Sequence, residues 1–340
     1  MLSDETKSAS HNRTYKPKAL ATLSGGLDSM LAVKLTLDQG IDVEAVSFAT
    51  PFCLCNHCSA NKFTKTMNLK LHRIFLGQEY LDIVVSPPHG YGSQMNPCID
   101  CRILMFKKAK ELAGELGADF IVTGEVLDER PFSQRKSAML HIEKDADLEG
   151  RILRPLSAKL LPESEPEREG SVDRDRLFAI RGRRRLPQIE LAAELGIRDY
   201  PCPAGGCLLT DPRFAARLKE HLEHERRLTL ADVALLKLGR HFRLDNVKII
   251  VGRNKYENKA LLAMAKSRGI PCLEVVDYPG PVTLFLGEEE PDAIRKAAAV
   301  TVRYSDSPKG TTVKVMFEGR RKSTREAKAM DEQELQNLRV

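Results

Sequence analysis

Residues 19–29 read Ala19-Leu20-Ala21-Thr22-Leu23-Ser24-Gly25-Gly26-Leu27-Asp28-Ser29, and this stretch decides the fold. Ala19 to Ser24 is an apolar run that halts at a glycine pair, the pattern of a buried strand closed by a tight turn. From Asp28 to Gln39, Met30, Val33 and Leu37 recur at the spacing of one helical face. Strand, glycine turn and helix in that order bring the amides of the turn and of the helix start together, and such a concavity attracts anions. The Gly-Lys-Ser/Thr ending of a Walker loop is absent.

The rhythm continues outward. Val43–Ala49 and Leu71–Leu76 read as further strands. Cys101–Gly117 is an amphipathic helix, with Met105, Ala109, Leu112, Ala113 and Leu116 on one stripe, and it leads into the strand Asp119–Gly124. Strands alternating with helices imply an α/β domain built on an open, doubly wound, mostly parallel sheet. Residues 161–175 (LPESEPEREGSVDRD) break the alternation with proline, glycine and mixed charge. The division expected is a disordered tail over 1–16, a nucleotide-binding domain over 17–175, a basic helical extension over 176–235 and a smaller α+β domain over 236–340. In the last, VKIIVG, CLEVVD, PVTLFLG and TVKVMF read as strands, with helices at 257–268 and 291–304.

Composition bounds the function. Every apolar run falls short of the roughly 20 residues a membrane span needs, and the polar first 16 residues lack the core of a signal peptide, so a cytoplasmic protein is expected. A net charge of +6 permits an anionic partner. The absence of Trp and an aromatic content of 6% argue against a surface that stacks many single-stranded bases. Eight cysteines in a chain without a secretory signal point to metal or redox chemistry rather than to structural disulfides.

Ser24-Gly25-Gly26-Leu27-Asp28-Ser29 resembles the PP-loop of the ATP pyrophosphatases; a plain tight turn before a helix is the bland alternative. The resemblance implies ATP and Mg²⁺: the loop cradles the β,γ-pyrophosphate, Ser24 and Ser29 donate to phosphate oxygens, and Asp28 helps hold the metal. Further along, Cys98-Ile-Asp-Cys101-Arg102 opens the amphipathic helix, Val122-Thr123-Gly124-Glu125-Val126-Leu127 ends the next strand, and Ser133-Gln134 follows. This pattern resembles the catalytic domain of the tRNA 4-thiouridine synthetases, over about residues 17–210, with the 2-thiouridylases a more distant likeness. It implies nucleotide contacts from Phe48, Thr123, Gly124, Glu125, Ser133 and Gln134. Asp128-Glu129 stands where the family pattern has Gly-Gln.

The cysteines form three groups and a single: Cys53, Cys55 and Cys58; Cys98 and Cys101; Cys202 and Cys207; and Cys272 in an apolar strand, where it reads as a small buried hydrophobe. Cys98 and Cys101 sit at a helix N-terminus, which favours thiolate. Thiolases use such residues either as a persulfide with a resolving cysteine or as three ligands of a [4Fe-4S] cluster. The likeness favours the cluster, with Cys98, Cys101 and Cys207 as ligands. Cys207 is preferred to Cys202 because Gly205-Gly206 lets its backbone come close. The Cys53/Cys55/Cys58 group, with His57 inside it, reads as a zinc knuckle, a second cluster or an unmetallated loop.

Arg181, Arg183, Arg184 and Arg185 make a dense basic patch, either an RNA contact or a solvated face. From about 240 to 318, Val251-Gly252-Arg253-Asn254, Glu257-Asn258 and Pro279-Gly280-Pro281-Val282 resemble the RNA-binding domain of NFACT proteins, with Arg320, Arg321 and Lys322 following. The expectation is an ATP-dependent tRNA sulfurtransferase that adenylates a uridine carbonyl and replaces its oxygen with sulfur. Its partners would be tRNA, a sulfur donor (a cysteine desulfurase or free sulfide) and, in a homodimer, a second copy. An RNA-binding quality-control module with a silenced nucleotide domain and a PP-loop amide synthetase are the alternatives.

Overall fold

The computed structural model describes residues 16–53, 58–201 and 206–340. The N-terminal tail, Cys55, His57, the side chain of Cys58, Cys202 and Gly205 lie outside them. The chain divides into two compact units, one ending at Leu208 and the other running from Leu209 to Val340. The basic stretch 176–235 is thereby shared between them.

The first unit contains β1 (Lys18–Thr22), α1 (Leu27–Asp38), β2 (Asp42–Ala49), α2 (Cys58–Thr66), β3 (Leu71–Phe75), α3 (Gln78–Val85), α4 (Cys98–Leu116), β4 (Phe120–Thr123), α5 (Lys136–Asp145), β5 (Ile152–Leu153), α6 (Glu165–Arg168) and α7 (Leu186–Glu194). Its five strands pair in parallel in the order β3-β2-β1-β4-β5. The expected parallel α/β sheet is present. Ala19 and Ala21 pack with α1, whereas Leu20 packs with α4 and α5 on the other face, so β1 is buried on both sides. The strand order reverses direction about β1. Its carboxyl end, beside that of β4, is therefore the switch point at which open α/β sheets leave a crevice.

Two helices depart from their expected form. Met30 and Val33 are buried as the stripe requires, but so are Leu27, Leu31, Ala32 and Leu35, because α1 is covered by α7 as well as by the sheet. In α4 the inward face is Ile103, Phe106, Ala109 and Ala113, with Leu112 and Leu116 partly buried beside it. The helix also starts at Cys98, directly after Pro97, so the whole Cys-x-x-Cys motif forms its first turn. It ends on Gly117 in the left-handed conformation (φ 66°).

The second unit contains α8 (Pro212–His224), α9 (Leu230–Leu236), β6 (Arg240–Leu244), β7 (Val247–Val251), α10 (Lys255–Arg268), β8 (Cys272–Val275), β9 (Thr283–Leu286), α11 (Pro291–Arg303), β10 (Val313–Glu318), β11 (Lys322–Ala327) and α12 (Glu332–Leu338). It is built on an antiparallel sheet in the order β11-β10-β8-β9-β7-β6. Every residue of β7 is buried, with Ile249 and Val251 in one core and Ile250 in the other.

Candidate nucleotide site, cysteine cluster and basic pocket

Gly25 takes φ +85°, which few residues other than glycine adopt, and turns the chain from β1 into α1. The Ser29 hydroxyl donates to the Gly26 carbonyl (2.7 Å), the Ser24 and Ser29 hydroxyls lie 3.3 Å apart, and the Gly26 amide donates to Ser24 Oγ (3.3 Å). No side chain caps α1, so its first-turn amides are left for an anion. The next strand holds the loop from beneath. A Cβ on Gly124 would collide with the backbone of Asp28 and Ser29, so only glycine lets β4 come this close.

Asp28 carries the site's charge. Burial raises its pKa, against the opposing field of Arg185, whose Nη2 lies 3.4 Å from Oδ2. Its Oδ1 is buried and has no hydrogen-bond partner. A buried carboxylate oxygen left over in this way suits a divalent cation. The departure from the family pattern adds a second carboxylate. Asp128 keeps the left-handed backbone (φ 61°) that a glycine there would adopt, and its carboxylate accepts from Arg181 Nη2 (2.7 Å). Beside it, burial and the charge of Asp28 raise the pKa of Glu129. Gly182 N–H donates to the Leu127 carbonyl (2.7 Å), bringing the basic segment to the loop. Arg185 thus faces the nucleotide loop, while Arg183 and Arg184 are exposed.

The other expected nucleotide residues are brought to the same region with different surroundings. Thr123, Ser133 and Gln134 are buried, and Gln134 Oε1 has no partner. Phe48 is half-buried against the α4 face of the sheet. Glu125 is also buried. It accepts from Arg154 Nε (3.1 Å), lies 3.4 Å from Arg102 Nε, and shares Arg154 with the buried Glu143.

Cys98 and Cys101 stand one turn apart at the start of α4, above Tyr80 of α3. Cys98 Sγ accepts from Asn96 Nδ2 (3.1 Å). Burial, with the fields of Cys101, Cys207 and Cys98, pushes the Tyr80 hydroxyl far above its usual range, so the three sulfurs border one phenol. Cys207 also pairs its backbone with that of Cys53, which joins two of the three sequence groups. The expectation that the helix terminus would favour thiolate fails at Cys101. Burial outweighs it, and the attraction of Arg102 only partly offsets that, leaving the thiol pushed up to about 11. Arg130 acts on Cys101, Asp28 and Glu129 alike, so sulfurs and loop carboxylates share one electrostatic neighbourhood. The three thiols are not gathered within 4.8 Å of one another as ligands of a single ion would be. Arg102 was read in the sequence only as the end of the Cys98–Arg102 motif, and Arg130 was missed, because it carries no motif beyond its charge.

The comparisons with known proteins follow the division between the two units. Residues 15–159 match the family model of thiamine biosynthesis protein (ThiI). Residues 239–339 match the NFACT protein RNA binding domain. The tRNA-specific 2-thiouridylase MnmA of Pseudomonas fluorescens (strain SBW25) is 25% identical over 225 residues, covering 62% of this chain and 56% of that protein. The chain thus spans about half the length of the curated relatives it matches. Two solved structures are similar: a 4-thiouridine synthetase–RNA complex with bound ATP (23% identity, 65% of this chain, 52% of that one, TM-score 0.38) and the U34-tRNA thiolase NcsA from Methanococcus maripaludis with its [4Fe-4S] cluster (20%, 65% and 72%, 0.32).

The second unit has a basic pocket of ≈ 700 Å³ lined by Arg213, Arg217, Arg240, Arg253 and Arg339, with His241 among them. Burial and the charge of Arg253 lower the pKa of Arg217. Arg240 lies 4.5 Å over the Tyr304 ring. Arg253, expected to contact RNA, lines this pocket while its Nε donates to Glu257 (2.9 Å), and Asn254 caps α10 by accepting from the Glu257 amide (3.0 Å). Arg320 uses its amide to hold Glu289 (3.0 Å), and Arg320, Arg321 and Lys322 are exposed at the turn into β11. The arginines lining the pocket come from α8, β6, the turn between β7 and α10, and the residues after α12, so no run in the sequence announces them.

Proposed function

We propose that the protein is an ATP-dependent tRNA sulfurtransferase, forming AMP and pyrophosphate as it replaces a uridine carbonyl oxygen with sulfur. One observation carries the reading: the glycine loop, with its uncapped helix and the unpartnered Oδ1 of Asp28, shares the field of Arg130 with Cys101, which borders Tyr80 together with Cys98 and Cys207. A nucleotide loop alone would serve many ATP-consuming enzymes. An amide synthetase has no use for clustered cysteines, and a silenced domain has no use for an intact loop.

In this mechanism the first-turn amides of α1, Ser24 and Ser29 hold the β,γ-pyrophosphate, and Asp28, with Glu129 beside it, holds Mg²⁺. Mg²⁺ when bound neutralises phosphate charge as pyrophosphate leaves. Arg185 and Arg130 oppose the same charge from the protein side. The uridine oxygen attacks the α-phosphorus, pyrophosphate departs, and the bond from carbon to the adenylated oxygen breaks when sulfur adds and AMP leaves. Cys98, Cys101 and Cys207 would hold a [4Fe-4S] cluster, which when bound would supply a carrier for the incoming sulfur. Tyr80 and Asn96 fix the sulfurs that would hold it. The basic pocket of the second unit supports tRNA as the partner.

Purified protein with ATP, Mg²⁺, a sulfide source and unmodified tRNA should release AMP and pyrophosphate in an RNA-dependent way, and Asp28→Ala should abolish it. Release of ADP and phosphate instead would reject the pyrophosphatase mechanism. Anaerobically purified protein should be brown with about four irons per chain, and Cys→Ala replacement at all three sites should remove the iron. Thiolation by iron-free protein using a persulfide would assign sulfur transfer to two cysteines instead.

A further inference from the structure

Behind the Cys-x-x-Cys turn lies a second set of ligands. His89 Nε2 and His141 Nε2 face each other at 2.8 Å, and Asp145 Oδ2 lies 3.5 Å from the first and 3.7 Å from the second. These three atoms are the only such set within 4.8 Å of one another among the described residues. Two ring nitrogens meeting head-on with a carboxylate alongside is not a packing arrangement. The two rings stand edge to face, with centroids 4.7 Å apart.

The orientation is fixed from behind. Asp100, the residue between Cys98 and Cys101 that is only 5% exposed, accepts from His89 Nδ1 (2.7 Å) and from the His89 amide (3.2 Å). Donation from Nδ1 to a carboxylate leaves His89 Nε2 as the unprotonated nitrogen, its lone pair turned toward His141 and Asp145. A carboxylate behind a histidine in this way is the arrangement that orients imidazole for a metal. The two Nε2 atoms lie within hydrogen-bond distance of each other (2.8 Å), and a metal ion would replace that contact. His141 is exposed, and its neutral ring can carry its proton on Nδ1, which leaves both Nε2 lone pairs for the metal. Zinc–nitrogen bonds of about 2.0–2.1 Å need only small outward shifts of the two rings.

We propose that His89, His141 and Asp145 bind a divalent transition metal of the zinc class, with a fourth position left to water. The segment 86–97, the end of α5 and, through Asp100, the first turn of α4 would then be fastened at one point. The metal is a clamp on the turn that presents Cys98 and Cys101, separate from any group those cysteines hold.

Cobalt(II) distinguishes imidazole and carboxylate ligands from thiolate by absorption. Titration of the full-length, iron-free protein should fill one site whose visible bands lack thiolate-to-cobalt charge transfer. His141→Ala, at an exposed position, should lose that equivalent while keeping the native circular dichroism. Cys98→Ser/Cys101→Ser should keep it. Asp100→Asn, which preserves shape, should weaken it about 10- to 100-fold. Unchanged stoichiometry in His141→Ala, or loss of the equivalent in the double cysteine variant, would overturn the assignment; either result leaves the sulfurtransferase reading untouched.

Discussion

Gly124 and Glu125 are neighbours in a motif read from the sequence, yet they do different work. Gly124 lets β4 touch the nucleotide loop, and Gly124→Ala must push Asp28 and Ser29 aside. The expected cost is roughly 1–3 kcal/mol, as for overpacking, together with loss of ATP-dependent turnover. Chemical denaturation beside a pyrophosphate assay would test both, and an unaffected variant would mean the contact yields freely. Glu125, expected to touch nucleotide, also neutralises a buried arginine. Glu125→Ala leaves Arg154 with Glu143 alone and should cost about 3–5 kcal/mol, seen as a lowered denaturation midpoint. The sequence displayed the motif but not this division, because Arg154 lies 29 residues further on in an unremarkable stretch. Glu129 was visible only as a departure from a family pattern. Its proximity to Asp28 depends on Asp128 taking a left-handed turn.

At the scale of elements, the central strands and α1 were legible because burial on both faces writes long apolar runs. β6 (RHFRL) and β11 (KSTREA) were not, since they form the two edges of their sheet and carry the charges that edges need. Similarly, β2 hides an ionic cluster. Against a desolvation that would raise it, hydrogen bonds from His72 and Lys18 hold the Glu44 carboxyl down at about 2. A carboxyl with a lowered folded pKa stabilises above its unfolded value, near 4.5, and loses that contribution as pH falls toward 2. Glu44→Gln should therefore destabilise at pH 7 and much less at pH 3, in paired urea titrations. An equal effect at both pH values would contradict the ion-pair account.

For the whole molecule, two units were expected, and the comparisons match each to a different family. Binding surfaces were harder to foresee than folds, because surfaces gather residues from distant elements. The arginine pocket of the second unit takes its charges from α8, β6, the turn between β7 and α10, and the residues after α12. If it holds RNA phosphates, Arg217→Glu and Arg240→Glu should weaken tRNA binding, and each lost contact should reduce the salt slope by roughly 0.9 on duplex. Unchanged affinity across a salt series would send RNA recognition elsewhere. Thiolation is chemistry rather than binding, and its most direct test is the RNA product. Unmodified tRNA incubated with the protein, ATP, Mg²⁺ and sulfide, then digested to nucleosides for mass spectrometry, should contain a thiouridine in molar step with the AMP released. Steady AMP formation with no sulfur in any nucleoside would contradict the account.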